Sequence, residues 1–246
     1  MSRTSSISAE ADAEIRAIDS SLMLKVFYVF AALALMSLAI SAGGRWFGRS
    51  IAMAGHTDDR SLHQIVIGKN VIFTPANAIR FERARRDGPA ARLDLYLRWP
   101  DLEGYSEATR DDFNHAEGKR NIIFVSVEPA MMSRDMSGRF APIYSKMIVK
   151  PGVPGPVGTL LYGFTEQSGY MNEVLVVGER VGREPYVARC LSGPSAEESL
   201  APCQRDIHIG DNLSLSYRFP KELLANWRDL DAAIQARSSQ MIKTWN

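Results

Sequence analysis

One stretch limits what this chain can become. Residues 22–42 read LMLKVFYVFAALALMSLAISA, with one charge at Lys25 and none from Val26 to Ala42. At 1.5 Å per residue a helix of that length reaches about 32 Å, matching a hydrocarbon core of about 30 Å. Lys25 lies one turn from the start, where its stem can follow the helix while the ammonium reaches the headgroups. A buried helix of a water-soluble domain would be shorter and would keep a polar stripe. Residues 22–43 are therefore expected to form a transmembrane helix, after a short cytoplasmic tail, 1–21, and before a tether, 44–62.

The main rival for this stretch is a cleaved signal peptide, because Ala39-Ile40-Ser41 and Ile40-Ser41-Ala42 both resemble small-residue processing sites. A signal peptide, however, begins with a short basic region, and here Glu10, Asp12, Glu14 and Asp19 are mixed with Arg3, Arg16 and Lys25. The uncharged run also exceeds the 7–15 residues or so of a signal core, which favours an uncleaved anchor. Lysine and arginine counts leave the orientation open, with Arg3, Arg16 and Lys25 before the span and Arg45, Arg49 and Arg60 after it.

The two cysteines bear on orientation. Cys190 and Cys203 bracket LSGPSAEESLAP, whose Gly193, Pro194 and Pro202 describe an exposed loop between two strands. A disulfide closing such a loop would stabilise the fold by about 3 kcal/mol, mostly by restricting the unfolded chain. The spacing suits neither a zinc site nor a CxxC redox pair, and two unrelated thiols are the alternative. If the cysteines are paired, the C-terminal domain lies in an oxidising compartment and the N-terminus is cytoplasmic. In a bacterium that places the chain in the inner membrane with a periplasmic domain. The third arrangement is a cytosol-facing domain with reduced cysteines.

Composition narrows the function classes. The 246 residues carry 29 Lys and Arg against 28 Asp and Glu, a net charge of +1, so the cationic excess of a nucleic-acid binder is absent. Without the apolar run and its flanks, about 180 to 200 residues remain, enough for one domain with a sizeable core.

From His63 onward, short runs of Val, Ile, Leu, Tyr and Phe alternate with turn residues. Strands are expected near 63–73, 77–83, 91–99, 121–128, 139–149, 158–165, 173–180, 185–191 and 205–219. The clearest is Leu93, Leu95, Leu97 and Trp99 alternating with Asp94, Tyr96 and Arg98, the pattern of a sheet with one buried face. Residues 106–116 read as a short surface helix capped by Ser106. PGVPGPVG, 151–158, is a strand connection without the lysine of a phosphate loop. The chain closes with an amphipathic helix over 220–245, whose Leu223, Trp227, Leu230, Ile234, Met241 and Trp245 share a face, with Asp229, Asp231, Arg237 and Lys243 largely elsewhere. The fold class is thus mostly β, of α+β type: an antiparallel sheet or sandwich over 63–246 with the C-terminal helix packed on it. Trp46 and Phe47, beside Arg45 and Arg49, would anchor the tether at the interface.

Chemistry is sparse. GxSxG, HExxH, SxxK, GxGxxG and Walker motifs are missing, so no catalytic residue is assigned and no cofactor is expected. His56, Asp58, Asp59 and His63 are the densest group of metal-ligand types, but they sit in the tether, so no metal is expected. Asp111, Asp112 and His115 cluster on the predicted surface helix, inside an acidic window with Asp101, Glu103, Glu107 and Glu117 that reads as a solvated loop or a site for a basic partner. The basic run Arg80, Arg83, Arg85 and Arg86, interleaved with Glu82 and Asp87, reads as a charged hairpin tip, with contact to anionic headgroups as the alternative.

The segments PANAIRFERARRDG, ARLDLYLRWPDLEGY, DMSGRFAPIY and LSLSYRFPKELLANWRDLDAAI resemble uncharacterised membrane-anchored proteins of alphaproteobacteria. The resemblance covers much of the exported domain and implies a single anchor. The expected function is a non-enzymatic binding or assembly module with the membrane, through 22–43, and an envelope protein as partners. The alternative is a hydrolase-like periplasmic enzyme drawing on Asp111, Asp112, His115 and His208.

Overall fold

The computed structural model describes residues 20–53 and 55–244. Residues 1–19 of the expected tail, the side chains of Arg45, Trp46, Phe47, Arg49 and Glu117, and Trp245 lie outside the described part. The chain divides into two compact units, Met1–Ala54 and Gly55–Asn246.

In the first unit, helix α1 spans Ser20–Met53, and its segment Met23–Ser41 is long and apolar enough to cross a membrane. The side chains of that segment are exposed apart from half-buried Ala31. The helix continues past Gly43 and Gly44 to Met53, so the first half of the expected tether is helical. Gly43, Gly44 and Gly48 cost a helix about 1 kcal/mol each relative to alanine, but the stretch through Met53 holds no proline to stop it.

In the second unit the chain runs through β1 (Leu62–Ile67), β2 (Asn70–Pro75), β3 (Gly88–Pro89), β4 (Leu93–Arg98), α2 (Arg110–Phe113), β5 (Ile122–Pro129), β6 (Val153–Pro154) and β7 (Thr159–Gly163). It continues through β8 (Glu173–Gly178), β9 (Tyr186–Leu191), α3 (Pro194–Glu198), β10 (Cys203–Ile209), β11 (Leu213–Phe219), α4 (Trp227–Met241) and β12 (Ile242–Thr244). A four-stranded sheet has the order β12-β2-β1-β3, and an eight-stranded antiparallel sheet the order β4-β5-β11-β10-β9-β8-β7-β6. The mostly β fold with a C-terminal helix is as expected.

Alternation builds the large sheet. Leu213, Leu215, Tyr217 and Phe219 of β11 and Ile123, Val125 and Val127 of β5 turn inward. In β8, Leu175, Val176 and Val177 are all buried, because both faces of this part of the sheet are covered. Val176 joins the main core with the small sheet and α4, while Leu175 and Val177 join a second cluster with Met136, Tyr144 and Ile148.

Several boundaries differ from expectation. The single strand 63–73 is the β1–β2 hairpin, turning at Gly68, whose φ is +59°. The single strand 205–219 is the β10–β11 hairpin. Residues 77–83 contribute only a bridge from Ile79 to Leu95, and 139–149 only one from Ile148 to Phe164. In the latter segment Phe140, Tyr144 and Ile148, four apart, cover the sheet from turns instead of extending it. The surface helix over 106–116 shrinks to a 3-10 turn and four-residue α2. The closing helix begins as a 3-10 turn at Lys221–Asn226, and ends at Met241, where β12 pairs with β2. Gly178 lies against the Trp227 indole, where a β-carbon would come within 2.8 Å of Cζ2.

Candidate functional site

The large sheet forks. Strand β10 pairs with β11 over its full length, but with β9 only at Cys203↔Cys190 and Gln204↔Arg189. The disulfide Cys190–Cys203 joins the two strands at the narrow end of the fork. Past it the Val187 carbonyl accepts a hydrogen bond from Arg205 Nη1, at 2.8 Å, where a ladder N–H would otherwise stand. The wedge between the strands opens into a cleft of about 750 Å³, walled by the end of β10, the outer turns of α4 and the segment carrying Arg180 and Arg183.

A buried polar network floors this cleft. Arg205 donates from Nε to Asp231 Oδ1 at 2.8 Å and from Nη1 to Ser137 Oγ at 3.0 Å, with its guanidinium over the Tyr186 ring. Asp231 also accepts from Tyr217 (2.8 Å), Gln235 (2.6 Å) and Arg180. Four donors on one buried carboxylate offset its desolvation. Burial pushes the Asp231 carboxyl up, but the charge and hydrogen bond of Arg205, with Arg180 and Tyr217, overcome it and hold the carboxyl below its ordinary range. Burial first, then neighbouring Tyr186 and Asp231, keep the Tyr217 phenol protonated well above its ordinary value. One carboxylate thus serves two guanidinium groups, and Arg205 Nη2 is left without a hydrogen bond among the described residues. The floor is built for holding a fixed charge pattern; its carboxylate stays ionised and its phenols protonated around neutral pH.

Arg205 and Asp231 were not singled out in the sequence, and Asp231 was expected off the buried face. Parity carried the signal. Arg205 stands between Cys203 and Ile207 on the inward face of β10, and Asp231 is one turn past Trp227 and adjacent to Leu230. A charge on each of two inward faces calls for a partner.

The sequence candidates are dispersed. His208 is exposed and lines the cleft, without Asp111, Asp112 or His115. Asp112 pairs with Arg98 (3.4 Å) and Lys119 (3.4 Å), and Asp111 with Arg110 (3.8 Å). His115 adopts left-handed backbone, φ +52°, and its buried Nδ1 has no hydrogen-bond partner among the described residues. The four residues of the enzyme alternative are therefore not brought into the cleft together.

The four ligand-type residues between 56 and 63 turn to separate partners. His56 Nδ1 is hydrogen-bonded to the Tyr96 hydroxyl at 2.9 Å, and its ring stacks on Tyr105 at 4.7 Å. Asp58 accepts the Glu107 N–H (2.7 Å), Asp59 the Ser61 N–H (2.8 Å), and His63 pairs with Asp87 (2.9 Å). Among the described residues, no group of three or more His, Cys, Asp or Glu converges to hold a metal. Gly55 accepts from Arg85, and the carbonyls of Asp59 and Ser61 accept from Asn77 (2.8 Å) and Ala76 (2.9 Å). This stretch of the expected tether is bound to the body of its unit. Burial first, then the charges of Arg85 and His115, hold His56 below its ordinary pKa.

No protein-family model matches the chain, and no curated protein matches it. Among solved structures it is similar to Smlt3025, an immunity protein of the Stenotrophomonas maltophilia type IV secretion system, at 14% identity and a TM-score of 0.47, covering 77% of this chain and 96% of that one. It is also similar to the Neisseria meningitidis iron-regulated outer membrane lipoprotein FrpD, at 8% identity and a TM-score of 0.42, covering 75% of this chain and 95% of that one.

Proposed function

We propose that the chain is a single-pass inner-membrane protein, N-terminus cytoplasmic, whose β-rich domain is periplasmic and binds an envelope partner without catalysing a reaction, with the forked cleft as its site. The carrying observation is the cleft floor, where Arg205 is fixed by Asp231, Ser137 and Val187 and its Nη2 is left for a further acceptor. Preorganised charge of this kind lowers the cost of ordering on binding. The exposed apolar segment Met23–Ser41 supports the anchor. The disulfide supports an oxidising compartment, and anchoring raises the effective concentration of neighbouring envelope components.

The test is photocrosslinking in living cells from Ser239, on the cleft wall, and from Glu222, outside it. A discrete adduct from Ser239 alone, abolished by Arg183→Glu, is expected. Equal adducts from both positions, or none from the cleft, would overturn the site. Turnover abolished by His208→Ala would favour the hydrolase-like alternative. Thiols that a membrane-impermeant reagent labels in intact cells only after reduction are expected; labelling without reductant would sink the disulfide, and labelling only once the cells are opened would sink the topology.

A further inference from the structure

The arginine run takes a form that the sequence pattern did not anticipate. Five arginines lie between positions 80 and 92 against Glu82 and Asp87. Instead of a strand, the first four sit on or beside a 3-10 turn at Glu82–Ala84 on the approach to β3, which pairs in parallel with β1, and Arg92 follows β3.

Three of the five are committed. The Arg80 guanidinium lies over the Phe81 and Phe124 rings, at 5.1 and 4.9 Å. Arg92 is bonded to Asp94 and Ser126, and Arg85 turns inward to the carbonyls of Ile79 and Gly55. Asp87 is occupied by His63 and the Gln64 N–H. Arg83 and Arg86 are exposed and have no carboxylate partner among the described residues, and exposed Phe81 lies beside them with Arg83 5.7 Å from its centroid. They border a groove of about 480 Å³ whose apolar side includes Phe81, Ala84, Pro89 and Ala90.

The groove's place in the chain matters as much as its chemistry. Arg85 ties this turn to Gly55, two residues beyond the end of α1 at Met53. Only fourteen positions of chain separate Gly55 from Ser41, the end of the apolar span, so the groove is tethered to that span by a short length of chain.

We infer that this groove docks the headgroup of an anionic phospholipid, with its phosphate between Arg83 and Arg86 and its glycerol end against Phe81, Ala84, Pro89 and Ala90. The inference rests on the membrane-anchor reading. Guanidinium forks match phosphate oxygens, an exposed aromatic ring suits the headgroup boundary, and uncompensated arginines gain from an anionic surface.

The test uses the full chain in nanodiscs of phosphatidylcholine alone or mixed with phosphatidylglycerol, read by hydrogen exchange over residues 80–91. Exchange on the order of tenfold slower in the anionic discs is expected, with the difference lost at about 0.5 M salt. The double variant Arg83→Glu, Arg86→Glu should lose it too, with the exchange of β10 unchanged. If that variant does not fold, the salt and lipid comparisons on the unaltered chain still decide. Equal exchange in the two discs would overturn the inference while leaving the anchor intact. Protection in neutral discs on adding inorganic phosphate would assign the groove to free phosphate and overturn the lipid. A chain that does not incorporate into discs would remove the anchor reading and this inference together.

Discussion

Asp231 is the residue on which the cleft depends. Its carboxylate is 2% exposed and accepts from Arg205, Arg180, Tyr217 and Gln235. Truncation to alanine leaves Arg205 buried and uncompensated, and a loss of about 3–5 kcal/mol is expected by urea denaturation. Because the folded state holds this carboxyl below its ordinary range, its stabilisation is present above the unfolded-chain value and is lost as pH falls through the folded one. The stability gap between the unaltered chain and Asp231→Asn should be widest near neutrality and narrow below about pH 4. His56 also has a lowered pKa, set by burial, Arg85 and His115, so its neutral form is the one that fits. Its contribution is complete above about pH 6.5 and declines as pH falls below that value. Hydrogen exchange over residues 55–61, corrected for intrinsic rate, should quicken on acidification, and His56→Phe should remove most of that dependence. Neither residue's role was legible locally. Asp231 and Arg205 are 26 positions apart and His56 and Tyr96 are 40, so only the folded chain brings each pair together.

At the level of elements, the disulfide marks where two strands stop travelling together. Replacing Cys190 and Cys203 with serine should cost about 2–5 kcal/mol in thermal or urea unfolding, with exchange rising first in β9 and at the start of β10. The cysteines were legible as a pair because Gly193 and Pro194 mark the loop between them, although that loop also holds the short helix α3. Strands such as β4, β5 and β11 were legible because alternation is a property of neighbouring residues. The hairpin turns were missed inside longer apolar runs, although Gly210 and Asn212, both at positive φ, carried the signal at one of them. Residues 139–149 were misread because apolar residues four apart can cover a sheet from turns as well as extend it.

For the whole molecule, the apolar segment was the most legible feature, since hydropathy sums over contiguous residues and needs no long-range partner. Leu33→Arg, in the middle of Met23–Ser41, should weaken insertion by about 2.5–3.5 kcal/mol, measured as the fraction released by alkaline carbonate. A mature chain whose N-terminus begins just past residue 41 would show a removed leader instead of an anchor. The cleft was the least legible feature, because it exists only where β9 and β10 part. The bonds gathered at the start of the second unit carry a mechanical consequence. Gly55, Asp58, Asp59 and Ser61 are held by Arg85, Glu107, Asn77 and Ala76, which belong to three separate segments. A pull arriving along the chain would load these fastenings in parallel before it reached the β1–β2 ladder, so the domain is moored at its first residues, and tension would be shared across its body before any strand peeled.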